Sequence, residues 1–284
     1  TNPSPKGAKA NKVVLFEVED GGLAAVERAR LQTAVLSELD STIGDAGAKI
    51  VERDLASGLK EEIERAEMTG EGAYKGAPVA DYAVITQITE AAFGSSFNEA
   101  YVDDDGDRHP ARCEYEGNVS VTVDVYTVPE LNRVESLTGD DSASTSEETR
   151  SSNCNGASGN GLLRSAAAGS VTDVQGELKN FFAPVGYITG ASNYNPDEGS
   201  VALKTSLTPQ LGAEAGGDVN IMRVRPNGDR YKVAAGEIGT PVMGSGAVVV
   251  LEKASADKVQ IGDEVVTDYS CSFMGCKADE ALPF

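Results

Sequence analysis

Residues 48–90 have the sequence AKIVERDLASGLKEEIERAEMTGEGAYKGAPVADYAVITQITE, which predicts a strand, a helix and a returning strand. The first strand ends near Glu52, and Asp54 can accept hydrogen bonds from the free amides that open a helix. The helix is amphipathic, so it must pack on another layer. The returning strand, residues 81–89, is apolar on both faces at its start, which is typical of a central strand in a helix-covered sheet. The apolar face of the helix consists of Leu55, Leu59, Ile63 and Ala66.

The sequence before this stretch supplies one more strand and one more helix. Lys12–Val18 is rich in β-branched and large apolar residues, and a helix from Leu23 to about Leu39 follows it. The order is therefore strand, helix, strand, helix, strand. This order predicts an α/β sheet with packed helices, joined by right-handed crossovers where the strands are parallel.

The pattern changes after Glu90. From Tyr115 to Tyr126 apolar and polar residues alternate, which predicts a strand with one buried and one wet face. Gly139–Gly161 is rich in Ser, Thr, Asn and Gly and predicts a long polar excursion. Leu162 to about Phe182 predicts a helix, after which the first domain is expected to end near Gly190.

The remaining sequence predicts a small all-β domain. From Val201 onward short strands are separated by turn sequences such as Gly216-Gly-Asp218 and Asn227-Gly228. Closure into a barrel or sandwich is the economical solution for such strands. The predicted organisation is a tether over residues 1–12, an α/β domain over 13–190 and a β domain over 191–284.

The composition limits the classes of partner. The chain has 24 Lys and Arg residues against 45 Asp and Glu residues, a formal net charge of -21. This excess argues against nucleic acid and anionic membranes as partners. It suits a salty or calcium-rich medium, and it is equally consistent with an ordinary solvated acidic surface. The sequence contains no apolar run of about eighteen residues that predicts a membrane-spanning helix.

The N-terminal residues suggest a processed chain. The sequence starts at Thr1 without Met, which we interpret as a mature form. Residues 1–11 are polar and contain prolines, as in tethers that follow a lipid-modified cysteine. We therefore expect a lipid anchor upstream of Thr1.

The four cysteines have spacings that favour disulfides. Cys271 and Cys276 can close a small loop, which leaves Cys113 and Cys154 as a second pair, although four cysteines allow three connectivities. An even count without metal-type spacing favours an oxidising compartment, and free buried thiols are the alternative. Zinc is poorly supported because the chain has no Cys-x-x-Cys motif and a single histidine, His109.

Other chemistry is sparse. Asp103, Asp105 and Asp107 flank a glycine turn and are the candidate ligands of a calcium ion, with a solvated acidic turn as the alternative. The sequence lacks a dinucleotide fingerprint, a Walker A lysine and a nucleophile elbow. We therefore predict no enzymatic activity, no catalytic residues and no cofactor other than calcium.

Several short motifs resemble the CsgG family of curli secretion proteins and its TolB-N-like relatives. They are Val13-Val-Leu-Phe-Glu-Val18, Val51-Glu-Arg-Asp-Leu55 and Ala80–Thr89, in that order, and the resemblance covers residues 13 to about 134. In that family two hairpins of each subunit build a transmembrane barrel. The corresponding segments here, residues 91–117 and 135–162, lack a lipid-facing apolar side. We therefore expect no pore.

The second part is similar to the C-terminal β-barrel domain of the flagellar assembly protein FlgT. The similar residues are Gly217–Arg223, Gly236-Glu-Ile-Gly239, Ala247–Leu251 and Val259–Val266. The resemblance implies a small barrel with a role in assembly.

The resemblances imply a non-enzymatic structural protein outside the cytoplasm. It would lie in the periplasm, at the outer membrane or on the surface of a Gram-negative cell, and self-associate into a ring or filament of a secretion, flagellar or appendage complex. Other envelope or appendage proteins would be its partners. The alternative is a monomeric envelope lipoprotein that binds and regulates an enzyme.

Overall fold

The computed structural model describes residues 8–20, 25–52, 56, 58–70, 72–76, 79–155, 159–192, 199–226, 229–240 and 242–269, with side chains from Arg30 onward in the first helix. The contacts divide the chain into two compact units. One comprises Val13–Ser41 and Val51–Gln175, and the other comprises Thr1–Lys12, Thr42–Ile50 and Gly176–Phe284. The predicted α/β sheet followed by a small β-barrel is confirmed.

A five-stranded sheet lies mainly in the first unit, and two residues of its edge strand, Lys49 and Ile50, are counted with the second. The strands are β1 Lys12–Leu15, β2 Lys49–Val51, β3 Tyr82–Asn98, β6 Arg112–Thr127 and β7 Arg133–Glu148, and a short hairpin of β4 Tyr101–Val102 and β5 Arg108–His109 lies between β3 and β6. Their order in the sheet is β2-β1-β3-β6-β7. β1 is parallel to β3, whereas β3, β6 and β7 are antiparallel neighbours.

Helices pack on the sheet, as the spacing of their apolar residues predicts. They are α1 Ala25–Asp45, α2 Leu59–Thr69 and α3 Asn160–Asp173. α2 begins after Gly58 and buries Leu59, Ile63 and Ala66, three of the four residues predicted for its apolar face. The fourth, Leu55, and the expected cap Asp54 lie outside the described residues. The burial of Leu59 and of Ile63 stabilises the packing of α2 on the sheet by roughly 1 to 3 kcal/mol for each side chain.

Two predictions about the first unit were wrong. The segment from Gly139 onward is not a polar excursion up to Gly161, because β7 continues to Glu148 in unbroken register with β6. The predicted helix from Leu162 to Phe182 is two helices, since α3 ends before Val174 and α4 spans Gln175–Phe182. In β7 the local sequence is weak, and pairing with β6 decides the conformation.

The second unit contains a closed six-stranded barrel. Its strands are β8 Val185–Ala191, β9 Ser200–Thr205, β10 Asp218–Val224, β11 Arg230–Ile238, β12 Ala247–Glu252 and β13 Glu264–Thr267, in the order β10-β11-β12-β9-β8-β13. A one-turn helix, α5 Lys253–Ala256, follows β12. Inward-facing side chains fill the interior: Ile188, Leu207, Ala213, Val219, Ile221, Ala234, Ile238, Ala247, Val249, Leu251 and Val265.

The contacts divide the chain after Lys12 and after Gln175, whereas the sequence placed the second boundary near 190. By its contacts, the chain from Gly176 onward belongs to the barrel unit. β8 is a barrel strand that pairs with β13 and β9. The chain enters β8 directly after Pro184, so no linker separates the helix from the barrel. The expected tether is described from residue 8 onward, where Lys9 forms an antiparallel bridge with Val185.

A buried ion pair accounts for the Gly-Asp sequence near the end of the barrel. Gly262 has a φ of 93°, which favours glycine, and the next residue, Asp263, is 5% exposed. Its two carboxylate oxygens each accept a hydrogen bond of 2.7 Å from the guanidinium of Arg223. The backbone amide of Gln260 donates a further bond to the same carboxylate. Asp263 is thus satisfied by a two-pronged arginine contact and one amide.

Replacing Arg223 with methionine should destabilise the protein by about 3 kcal/mol, because it leaves the buried Asp263 carboxylate without its counter-charge. Urea unfolding gives the measurement. The matched control is Lys204→Met at an exposed barrel position, which should change stability by less than about 0.5 kcal/mol. Equal effects of the two substitutions would contradict the structural role of the ion pair.

Close packing of α3 on β7 depends on a missing side chain. A Cβ atom at Gly139 would lie 2.0 Å from the backbone oxygen of Ser170, whereas a Cβ at Gly94 would meet nothing within 4 Å. Gly139→Ala should therefore cost about 1 to 3 kcal/mol of unfolding free energy, since helix and strand must separate. Gly94→Ala, the control in the neighbouring strand β3, should be neutral or slightly stabilising in the same urea titration.

Candidate interaction surface

Three long strands extend the sheet of the first unit and give it two different faces. β3, β6 and β7 have 17, 16 and 16 residues. On one face β6 is buried at every second position from Cys113 to Val125, and α3 contacts this face. Gly117 allows the close approach, because a Cβ there would lie 3.0 Å from the amide nitrogen of Leu163. This face is therefore the interior side.

The other face of the three strands carries small and polar side chains. We call it the open face. The register aligns Ala92, Asn118 and Ser142 across the three strands, then Gly94, Glu116 and Ser144, then Ser96, Glu114 and Ser146. A shallow trough of about 700 Å³ lies over this end of the sheet, and Glu114 and Glu116 are its charged lining residues. We call it the acidic trough.

β7 is an edge strand with unpaired backbone groups. The backbone N–H of Asp140 donates to Oδ2 of Asp173 in α3 at 3.3 Å, so this N–H points away from β6. Because N–H groups alternate in direction along a strand, those of Ser142, Ser144 and Ser146 also point outward. Among the described residues no strand lies beyond β7. We call Ser142–Glu148 the free edge, and the Asp173 contact marks its inner limit.

A disulfide fixes the outer end of this surface. The Sγ atoms of Cys113 and Cys154 are 2.01 Å apart, so these two residues are paired as the sequence analysis expected. Cys113 is 1% exposed at the start of β6, and Cys154 follows β7. The bond therefore ties the segment after β7 to the sheet. Cys271 and Cys276, the other expected pair, lie outside the described residues.

The three aspartates of the calcium hypothesis lie at the tip of the β4–β5 hairpin. Oδ1 of Asp103 accepts the backbone N–H groups of Asp105 and Asp107 at 3.1 and 2.8 Å, and Oδ2 lies 2.8 Å from Nε2 of His109. The ring of His109 stacks on Tyr101 with 4.5 Å between centroids. Both carboxylate oxygens of Asp103 are thus used within the turn. These bonds hold the backbone of the tip in a turn.

The structure does not gather these aspartates into a metal site. Within the described part of the chain, no three His, Cys, Asp or Glu side chains are arranged to hold a metal ion. Asp103 forms an Asx-type turn, in which its side chain binds the backbone amides two and four residues ahead.

A polar cluster that the sequence did not reveal holds α2 to the sheet. The hydroxyl of Tyr126 donates to Oε1 of Glu67 at 2.5 Å, and Arg133 lies 3.9 Å from the same oxygen and 3.6 Å from Asp124. Burial, followed by the bond to Glu67, raises the pKa of the Tyr126 phenol. The bond between Glu67 and Tyr126 joins α2 to the sheet. Glu67 and Tyr126 are 59 residues apart, and no local pattern links them.

Comparisons with known proteins give only distant similarities. No family model matches the chain, and no curated protein matches it. It is similar to the PelC dodecamer from Paraburkholderia phytofirmans at 16% identity, over 62% of this chain and 95% of that one, with a TM-score of 0.29. It is also similar to a neuraminyllactose-binding hemagglutinin homolog from Helicobacter pylori at 11% identity, over 62% and 87%, with a TM-score of 0.37.

A third similar structure is the lipoprotein GNA1162 from Neisseria meningitidis, at 10% identity over 51% of this chain and 86% of that one, with a TM-score of 0.24. All three TM-scores lie below 0.5, so these similarities do not say what this chain binds or does. No helix among the described residues has the length and apolar character needed to cross a membrane.

The turn at Asp103 should respond to acid. The bond to His109, followed by the bonds from the backbone amides, lowers the pKa of the Asp103 carboxyl below 3.8. A lowered pKa means that the ordered turn is fully present above pH 3.8 and is lost as the pH falls through the pKa of the folded form. Amide proton shifts of Asp105 and Asp107, followed by NMR, should report this loss.

The matched variant for this titration is Asp103→Ala, which removes both acceptor oxygens and should show the acid-type shifts at neutral pH, with Asp104→Ala as the control. Amide shifts of Asp105 and Asp107 that do not change with pH or with the Asp103 substitution would contradict this account of the turn.

Proposed function

We propose that this protein is a non-enzymatic assembly component that functions outside the cytoplasm and self-associates head to tail into a ring or filament. The observation that carries the proposal is the free edge of β7. Unpaired N–H and C=O groups along an edge strand are a template for adding another strand. The edge is long, and small side chains cover it, so another strand can approach its backbone closely.

The charges on the free edge disfavour contact between the free edges of two copies, and they favour contact between two different surfaces. If two copies paired antiparallel through β7 about Ser144, Asp141 would face Glu147 of the other copy and Asp140 would face Glu148. Like charges directly opposite one another destabilise strand pairing. The other edge of the sheet, β2, has only three residues and offers little to pair with. A contact between two different surfaces is therefore favoured, and such contacts produce rings or filaments.

The location outside the cytoplasm is supported by two features of the chain. The disulfide between Cys113 and Cys154 is of the kind that persists in oxidising compartments. The resemblance of the first unit to CsgG-type proteins, and of the barrel to the FlgT C-terminal domain, also points to an envelope assembly rather than to an enzyme. The net charge of -21 implies that salt or divalent cations assist the association.

Light scattering and negative-stain imaging of the purified chain, with and without calcium and at several salt concentrations, should show rings or filaments. Ser144→Pro should abolish them, because proline removes an outward N–H of the free edge while leaving the hydrogen bonds between β6 and β7 in place. Ser144→Ala is the matched control and should assemble normally.

A second blocking variant tests the free edge without introducing a proline, which could disturb the fold. Ser144→Lys places a charge on the edge, which also prevents strand addition. Thermal unfolding should show that the variants are folded. A wild-type chain that stays monomeric in every condition would contradict the proposed function, and assembly by both blocking variants would exclude the free edge as the contact.

A further inference from the structure

The acidic trough contains two carboxylates that are spaced for a pair of cations. Glu114 and Glu116 are exposed, and their side chains project from the same face of β6. Two residues along a strand correspond to about 7 Å. Neither carboxylate has an ion pair with another described residue, and Arg112, two residues before Glu114 on β6, lies 3.9 Å from Glu148. Between them and the free edge lie only Ser144 and Ser146, whose small side chains leave the way to the edge open.

The barrel carries a strand end with the opposite charge. In β11, Arg230, Tyr231 and Lys232 are exposed, and β12 pairs with this strand only at Glu237 and Ile238. The stretch Arg230–Val233, which we call the basic strand end, therefore has β10 as its one neighbouring strand among the described residues. Lys232 has no ion pair with another described residue, and Arg230 lies 2.7 Å from Glu264.

The two surfaces match in spacing as well as in charge. Arg230 and Lys232 are two residues apart on one face of β11, as Glu114 and Glu116 are on β6. A strand added to the free edge would lie about 10 Å from β6, two strand spacings of roughly 4.8 Å each. Long lysine and arginine side chains can extend over Ser144 and Ser146 and meet glutamate side chains that project toward them.

We infer that the free edge of β7 receives the basic strand end of a second copy, with Lys232 and Arg230 of that copy set against Glu116 and Glu114 in the acidic trough. This inference rests on the proposed function and names the two surfaces that it uses. The backbone groups of Ser142, Ser144 and Ser146 pair with the incoming strand. The cations then select this partner strand over another copy of acidic β7.

The second copy is the occupant because the chain supplies both halves of the contact. Each copy has one acidic trough and one basic strand end, so each can contact two others. Such a contact is heterologous and extends into a chain or closes into a ring. Salt screens both the exposed ion pairs of this contact and the repulsion between acidic copies, so charge-reversal variants test the contact more directly than the salt dependence does.

The test uses the full chain and a single charge reversal. Lys232→Glu should weaken self-association at least tenfold in light scattering, whereas Lys204→Glu, the same charge change on another barrel strand, should leave it unchanged. Adding Glu116→Lys to Lys232→Glu in one chain should restore much of the association, because the ion pair is rebuilt with its charges exchanged. Thermal unfolding confirms that each variant is folded.

Mixing two blocked variants gives an independent readout. Ser144→Pro retains only its basic strand end, and Lys232→Glu retains only its free edge. Each alone should be monomeric, and an equimolar mixture should form a complex of twice the chain mass and nothing larger.

The outcomes separate this inference from the proposed function. If the wild type assembles and Ser144→Pro blocks it, but Lys232→Glu assembles normally, the proposed function stands and this inference is overturned. The same holds if the mixture of blocked variants stays monomeric. If the wild type never assembles, both are overturned.

Discussion

The structure depends on the strict alternation of buried and exposed side chains in β6. Val119, Val121, Val123 and Val125 are all at most 1% exposed on the interior face, and polar residues fill the other face. A slip of one residue would expose every one of these valines. The register of β6 therefore fixes which face of β3 and β7 is covered. The covered face receives α3, whereas α2 packs on the other face around Ala83 and Tyr126, so only the outer end of the open face remains for other contacts.

β7 illustrates how a strand can form without an apolar signature. From Gly139 to Glu148 the strand carries Ser, Thr, Ala and acidic residues, with no large apolar side chain. This segment therefore shows no hydrophobic periodicity, and the prediction of a polar excursion was wrong. The strand forms because β6 offers a continuous ladder of hydrogen bonds, and because Gly139 lets α3 pack against it. Both causes are distant in sequence.

The parts that the sequence predicted well are those with strong local signals. Leu59, Ile63 and Ala66 identified the buried face of α2, and the short strands after Val201 with their glycine turns predicted the barrel. The candidate surface was harder to predict from the sequence. The pairing of Asp140 with Asp173 and that of Glu67 with Tyr126 join residues from separate elements. At Asp103 the sequence located a structured turn, in which backbone amides and His109 bind the carboxylate.

The open edge and the acidic character of the chain belong together. An exposed edge of this length would normally invite pairing between identical strands, and acidic residues at both of its ends oppose that pairing. In the proposed contact other carboxylates, those of Glu114 and Glu116 on β6, attract a cationic strand, so acidic residues oppose one association and direct another. Small serines between the edge and the carboxylates of β6 keep the backbone accessible. The free edge thus disfavours pairing with the free edge of another copy and remains open to a partner strand of opposite charge. An edge that only had to avoid strand pairing would not need this combination.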